Sequence, residues 1–354
     1  MTNRELFNAI MHYQDFDRMP VWHWSGWPET LERWRGEGLP EGVSEHEFLK
    51  ADVMCAGIPI NLDLFPLFDE ETLEETDEYR VLRQNDGVTA KLFKKKSSIP
   101  TYMDYILKDP AGWPEYKKRL QPDPGRLPEN WDQTLADLKH GANPVGLHTM
   151  SMVGILRNWM GVENMAIASR LYPDFFAETV DTISDLVCWA IDQVGGKVHI
   201  DMGWGWEDIC FRGGPLLDPA SFREFCVPGY RKVAGKLREY GCGLYLVDCD
   251  GMIDHLLPHW LDAGVNVLFP VEIGTWRADP MAMRRKYGKE LRIIGGIDKL
   301  ALERDSAAID AEIARRKPLM AEGGFIPLPD HLITPATPLK NVQYYLDRIR
   351  ELRF

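Results

Sequence analysis

Short apolar runs that end in an acid recur along the second half of the chain. Leu244-Tyr245-Leu246-Val247 runs into Asp248-Cys249-Asp250-Gly251, and Val198-His199-Ile200-Asp201 leads to Trp206-Glu207-Asp208. Val265 to Val271 leads to Glu272, Leu291 to Ile297 leads to Asp298, and Phe325-Ile326-Pro327 leads to Asp330-His331. Apolar runs of this length, bounded by Gly, Pro or Asp, are the pattern of parallel strands buried on both faces. Counting from the start, strands are predicted near 20–23, 52–58, 144–148, 198–202, 244–247, 265–271, 291–297 and 324–328. Between the later ones, 219–240, 253–263 and 279–287 carry apolar residues at helical spacing, with Asp218-Pro219 as a cap and first turn. Regular β–α alternation with right-handed crossovers predicts one α/β domain over 1–354, a (β/α)8 barrel of the TIM type. Acids and a histidine at successive strand ends are how such a barrel builds a site.

Residues 60–143 break the pattern. Tyr79 to Gln84 and Val88 to Phe93 flank Asn85-Asp86-Gly87, a turn sequence that predicts a β-hairpin over 79–93. This stretch reads as an insertion after the second strand, with Lys94-Lys95-Lys96 as a solvated edge.

Composition narrows the partners. The chain has 354 residues, 45% of them hydrophobic, and a net charge of -13, which argues against nucleic acid and against an anionic membrane surface. No apolar run reaches about 18 residues, so no transmembrane helix is expected. Six scattered cysteines without a CxxC pair point to a reducing, cytoplasmic setting rather than a disulfide framework.

The candidate chemistry lies at the strand ends. Asp248 and Asp250, two apart, would share one side of a continuing strand and could share a proton, hold a metal or bind a cationic group; a pair capping the next helix is the plainer reading. Cys249 would then point away as an inert buried thiol. His331, after Asp330, is a candidate acid/base group or ligand. Trp204 and Trp206 could wall a planar ligand that Glu207 and Glu272 orient, with Asp208 a further substrate-binding candidate, although a packed loop with Glu207 and Asp208 in salt bridges is an equal alternative. His23, Trp24, His148 and Asp298 complete the substrate-binding candidates, although either histidine could equally be a core residue. No Gly-rich nucleotide fingerprint is present.

These residues carry a family resemblance that runs almost end to end. Phe16-Asp17-Arg18-Met19-Pro20-Val21-Trp22, Trp206-Glu207-Asp208-Ile209, Leu217-Asp218-Pro219-Ala220-Ser221-Phe222, Val247-Asp248-Cys249-Asp250-Gly251, Gly295-Gly296-Ile297-Asp298-Lys299 and Pro329-Asp330-His331-Leu332-Ile333-Thr334-Pro335 resemble the uroporphyrinogen decarboxylase superfamily. The resemblance implies a β/α barrel with its site at the strand carboxyl ends. It also implies one of two chemistries. The decarboxylases of the superfamily need no cofactor and bind a tetrapyrrole bearing eight carboxylates. They resemble one another through an Arg-Gln-Ala-Gly-Arg stretch, where this chain has His23-Trp24-Ser25-Gly26-Trp27. The corrinoid-linked methyltransferases use zinc and resemble one another through His-x-Cys-Gly after the fifth strand and a cysteine after the eighth. Asp248-Cys249-Asp250-Gly251 and His331 occupy those positions here.

The expectation is therefore a methyltransferase that moves a methyl group between a small substrate and a cobalamin presented by a corrinoid partner protein. Asp248, Asp250, His331 and Glu207 are its catalytic residues, and Asp248, Asp250 and His331 hold a divalent metal such as zinc. The alternative is a decarboxylase with Arg157, Arg212 or Arg277 aimed at substrate carboxylates. A third reading is a non-catalytic ligand-binding barrel.

Overall fold

The computed structural model describes residues 1–94 and 100–354, so Lys95 and Lys96 of the expected lysine edge lie outside the described residues. Seven parallel strands form one curled sheet, a half-barrel. In sheet order they are Ala56–Gly57, Val145–His148, Met202–Trp206, Tyr245–Asp248, Val267–Phe269, Arg292–Ile297 and Phe325–Pro329. Sequence order and sheet order coincide, as repeated β–α crossovers require.

The chemistry of single residues sets where these strands begin and end. Met202, Trp204 and Trp206 alternate with Gly203 and Gly205, and a Cβ on either glycine would collide with Leu237 or with Thr149 and Met150. The large residues therefore face the barrel interior and the glycines face its packing neighbours. This strand starts four residues later than predicted because Asp201 is committed elsewhere. Its carboxylate accepts from the Val145 N–H at 2.7 Å and pairs with Arg4 at 2.8 Å.

The first of the eight expected strands, at 20–23, carries no ladder among the described residues. Pro20 offers no N–H, and the segment instead makes isolated links. Val21 N–H donates to Asp52 Oδ2, Asp52 N–H donates to Val21 O, and Gly26 bridges Ile333 in parallel. These contacts carry residues 21–26 across the open side between the Ala56–Gly57 and Phe325–Pro329 edges. The predicted helix at 219–240 forms as two, Pro219–Phe225 and Val227–Glu239. Pro228 cannot continue the first helix, since it lacks an N–H and crowds the carbonyl one turn back.

Between the first two parallel strands lies a separate antiparallel sheet of Glu71–Glu75, Tyr79–Arg83, Val88–Phe93 and Thr101–Tyr105. Lys94 at its end pairs with Glu75. The six cysteines are free. Among the described residues no helix is long and apolar enough to cross a membrane.

Candidate functional site

A cavity of about 210 Å³ lies inside the curled sheet, from Met202, Leu246 and Ile294 within the strands to Asp248 and Phe269 at their carboxyl ends. Its rings are Trp22, Trp24, Trp204 and Phe269, its sulfur groups are Met54, Cys55 and Met202, and its one carboxyl is Asp248. Trp24 and Phe269 meet edge to face, with centroids 4.7 Å apart at 67°. Cys55 was not singled out from the sequence, and burial pushes its thiol up to about 12. Trp204 was legible in the period-2 pattern of Met202–Trp206, which puts it on the same face as Trp206.

The loop after Tyr245–Asp248 sends its three residues three ways. Asp248 ends the strand and faces the cavity. Cys249 is buried on the other side beside Cys210. Asp250 leaves the strand direction, and its Oδ2 lies 3.1 Å from His331 Nε2. Gly251 makes this turn at φ +83, a conformation that also brings its N–H within 2.7 Å of Glu272 Oε2. The second Glu272 oxygen accepts from Thr275 Oγ1 at 2.7 Å.

One donor atom from each of Asp250, Glu272 and His331 lies within 4.8 Å of the others. The expected metal set of Asp248, Asp250 and His331 is thus corrected in one member. Asp248 stays on the strand facing the cavity, and Glu272 takes its place. Two carboxylates and an imidazole suit a divalent ion with positions left for other ligands. Asp250 Oδ1 is buried without a hydrogen-bond partner, an acceptor of the kind such an ion would satisfy.

Carboxylate crowding sets the electrostatics. Burial, and then the neighbouring Asp208 and Asp250, hold the Asp248 carboxyl well above the usual range. Burial and then Asp250 raise Asp208 too, whose Oδ1 is 3.5 Å from the Asp250 N–H. Burial opposes the charged form of His331, but the hydrogen bond and charge of Asp250 outweigh it and the ring is raised overall. Trp24 and Trp27 pack on His331 at 5.8 and 5.7 Å, so the segment at 22–27 joins cavity and triad.

Other expected site residues are engaged elsewhere. Glu207 is buried, and its carboxylate accepts from Met152, Val153 and Gly154 N–H at 2.7, 3.0 and 2.8 Å, from Ser151 Oγ at 2.9 Å and from the Tyr230 hydroxyl. It satisfies the free amides that open helix Gly154–Leu171 and has no face toward the cavity. Burial pushes its carboxyl up, against the pull of those donors. Trp206, at the end of its strand, lies beside the Arg157 guanidinium rather than in the cavity wall. Asp298 caps helix Lys299–Glu303 through the Leu300 N–H at 3.0 Å. His148 tilts against Trp204 at 4.5 Å outside the cavity lining. His23 is a core residue, 2% exposed, with its ring beside Trp34 and His46, and burial pushes it down to about 4. Asp330, passed over in favour of its neighbour, accepts from Ile273, Gly274 and Lys299 N–H and so pins the loops that carry Glu272 and His331.

Comparison with known proteins bears on the family and the fold. Two curated proteins named uroporphyrinogen decarboxylase are similar to the chain. The one from Picosynechococcus is 21% identical over 56% of this chain and 53% of its own length, and the one from Gloeobacter violaceus is 24% identical over 49% and 46%. The chain thus spans about half the length of the curated relatives it matches. A solved methyltransferase from Methanosarcina mazei superposes over 99% of both chains with a TM-score of 0.61 at 17% identity, a likeness of fold. The profile described as uroporphyrinogen decarboxylase (URO-D) matches residues 169–352, just over half of the sequence, which includes every residue of the triad and Asp248. On that match, the chain belongs to the uroporphyrinogen decarboxylase family.

Proposed function

We propose that the protein moves a methyl group between a small substrate held in the cavity and a corrinoid carried by a partner protein. The observation that carries this reading is the convergence of Asp250, Glu272 and His331 beside a small aromatic cavity, to which the Trp24 ring packed on His331 joins them. These three residues would hold a divalent metal, which when bound acts as a Lewis acid toward a substrate heteroatom. Asp248 positions the substrate from the cavity side, and the rings around it exclude water. Asp330 keeps Glu272 and His331 in register through its three backbone hydrogen bonds. A cavity of about 210 Å³ has room for roughly seven waters. It is too small for a corrin, which would have to stay on its own protein and approach from the mouth.

Elemental analysis of wild type beside His331→Ala tests the metal. About one divalent ion per chain is expected in wild type and none in the variant. Chelation is expected to abolish methyl transfer to cobalamin, and zinc to restore it. A metal-free wild type that still transfers methyl groups would remove the triad from the reading.

The decarboxylase alternative draws on the names of the curated relatives. A substrate with eight carboxylates needs fixed positive charge. Among the described residues no Lys or Arg lines the cavity, Arg212 and Arg277 are exposed, and Arg157 donates to the Asp208 carbonyl and to Asn158. These observations favour methyl transfer. Release of carbon dioxide from a porphyrinogen by the metal-free protein would reverse that preference.

A further inference from the structure

Glu272 follows the apolar run Val265 to Val271 and is buried. It also stands as N-cap of the short helix Ile273–Trp276, a position where an acid is ordinarily spent on free amides. Here it is not, because its side chain bonds no amide of that helix. The Ile273 and Gly274 N–H groups donate instead to Asp330 Oδ2, at 2.6 and 3.2 Å. Asp330 thus takes over the cap and leaves the Glu272 carboxylate to the triad.

Two donors then fix where that carboxylate points. The Gly251 N–H reaches Oε2 and the Thr275 hydroxyl reaches Oε1, each at 2.7 Å. The first comes from the loop that carries Asp250 and sets the spacing of two triad members. The second is the one side chain among the described residues that bonds Glu272. Thr275 lies one helical turn on and is half-buried. The backbone before Glu272 gives a reason for a second tether. Val271 is β-branched and buried, yet sits at φ +55, a conformation that persists only where the surroundings enforce it.

We infer that Thr275 is a positioning residue of the site, whose hydroxyl holds Oε1 so that the remaining lone pairs of Glu272 face Asp250 and His331. This rests on the metal reading above. Carboxylates that bind a metal are held by such outer hydrogen bonds, and losing one costs about 10–100-fold in affinity. The plainer role is a bond that only steadies a one-turn helix. It would show as a loss of stability with no change at the metal.

Zinc affinity of the metal-free, full-length chain, measured by competition with a chromophoric chelator, separates the two. Thr275→Val is expected to bind zinc about 10–100-fold more weakly, to alter the visible spectrum of the cobalt(II) form and to keep its urea midpoint. Thr275→Ser restores the hydroxyl and is expected to return the affinity to within about threefold of wild type. A Val variant with wild-type affinity and an unchanged cobalt spectrum, or a Ser variant as weak as the Val variant, would overturn the inference. So would a lowered urea midpoint at unchanged affinity, which is the plainer role. Should Thr275→Val not fold, Thr275→Ala takes its place in the comparison. A wild type that binds neither zinc nor cobalt defeats the metal site and this inference together. A wild type that binds zinc, beside a Val variant that binds it equally, defeats this inference alone.

Discussion

Two loops at the same end of the barrel carry acids in similar sequence settings and use them in opposite ways. After Met202–Trp206, Glu207 turns into the core and gives both oxygens to five donors, four at the start of helix Gly154–Leu171 and the fifth the Tyr230 hydroxyl of helix Val227–Glu239. After Tyr245–Asp248, neither acid meets a helix start. Asp248 faces the cavity unpartnered, and Asp250 pairs through Oδ2 with His331 Nε2 and keeps its other, buried oxygen unpaired. The difference teaches that an acid at a strand end is available for chemistry only where no neighbouring amide cluster claims it. The histidines divide in the same manner. Burial among rings drives His23 down to about 4, whereas Asp250 raises His331.

The largest expected effect separates the two loops directly. Glu207→Ala strands five donors and should lower unfolding free energy by about 4 kcal/mol or more, measured by urea denaturation. Asp250→Asn should change stability by less than about 1 kcal/mol yet slow methyl transfer at least about 100-fold. Equal losses of stability would erase the distinction.

A smaller effect tests the histidines. The folded ring of His23 resists protonation down to about pH 4, while the unfolded ring takes a proton below about pH 6.5. Stability is therefore whole above that range and is lost as pH falls through it, by about 2 kcal/mol between pH 7 and pH 5. Comparing the pH dependence of wild type with that of His23→Leu isolates this increment. Identical profiles would show that His23 is not held neutral by the core. The smallest effect is at Asp298. Asp298→Ala should cost about 1 kcal/mol as a lost helix cap and leave substrate affinity unchanged, and a weakened affinity would return Asp298 to the site.

Much of the fold was readable because it rests on local periodicity. The runs at 144–148, 244–247, 291–297 and 324–328 lie within one residue of the observed strands. The errors arose where one residue had a distant commitment. Asp201 reaches Arg4 and Val145 and delays its strand. Pro20 deprives the first segment of a ladder, and only its contacts with Asp52 and Ile333 show where it lies. At the site, Asp250 and His331 were legible as acid and imidazole at strand ends. The inclusion of Glu272 and the exclusion of Asp248 from the triad were not, because both depend on the turn at Gly251.

The sequence by itself determined that acids and a histidine stand at the carboxyl ends of buried parallel strands. Strand ends follow from where apolar runs stop, and stopping is a local property of the chain. Which acids remain free was decided only by the tertiary structure. The amide that reaches Glu207 comes from 55 residues away and the imidazole that reaches Asp250 from 81, and a carboxylate takes its role from whatever hydrogen bonds and charges surround it.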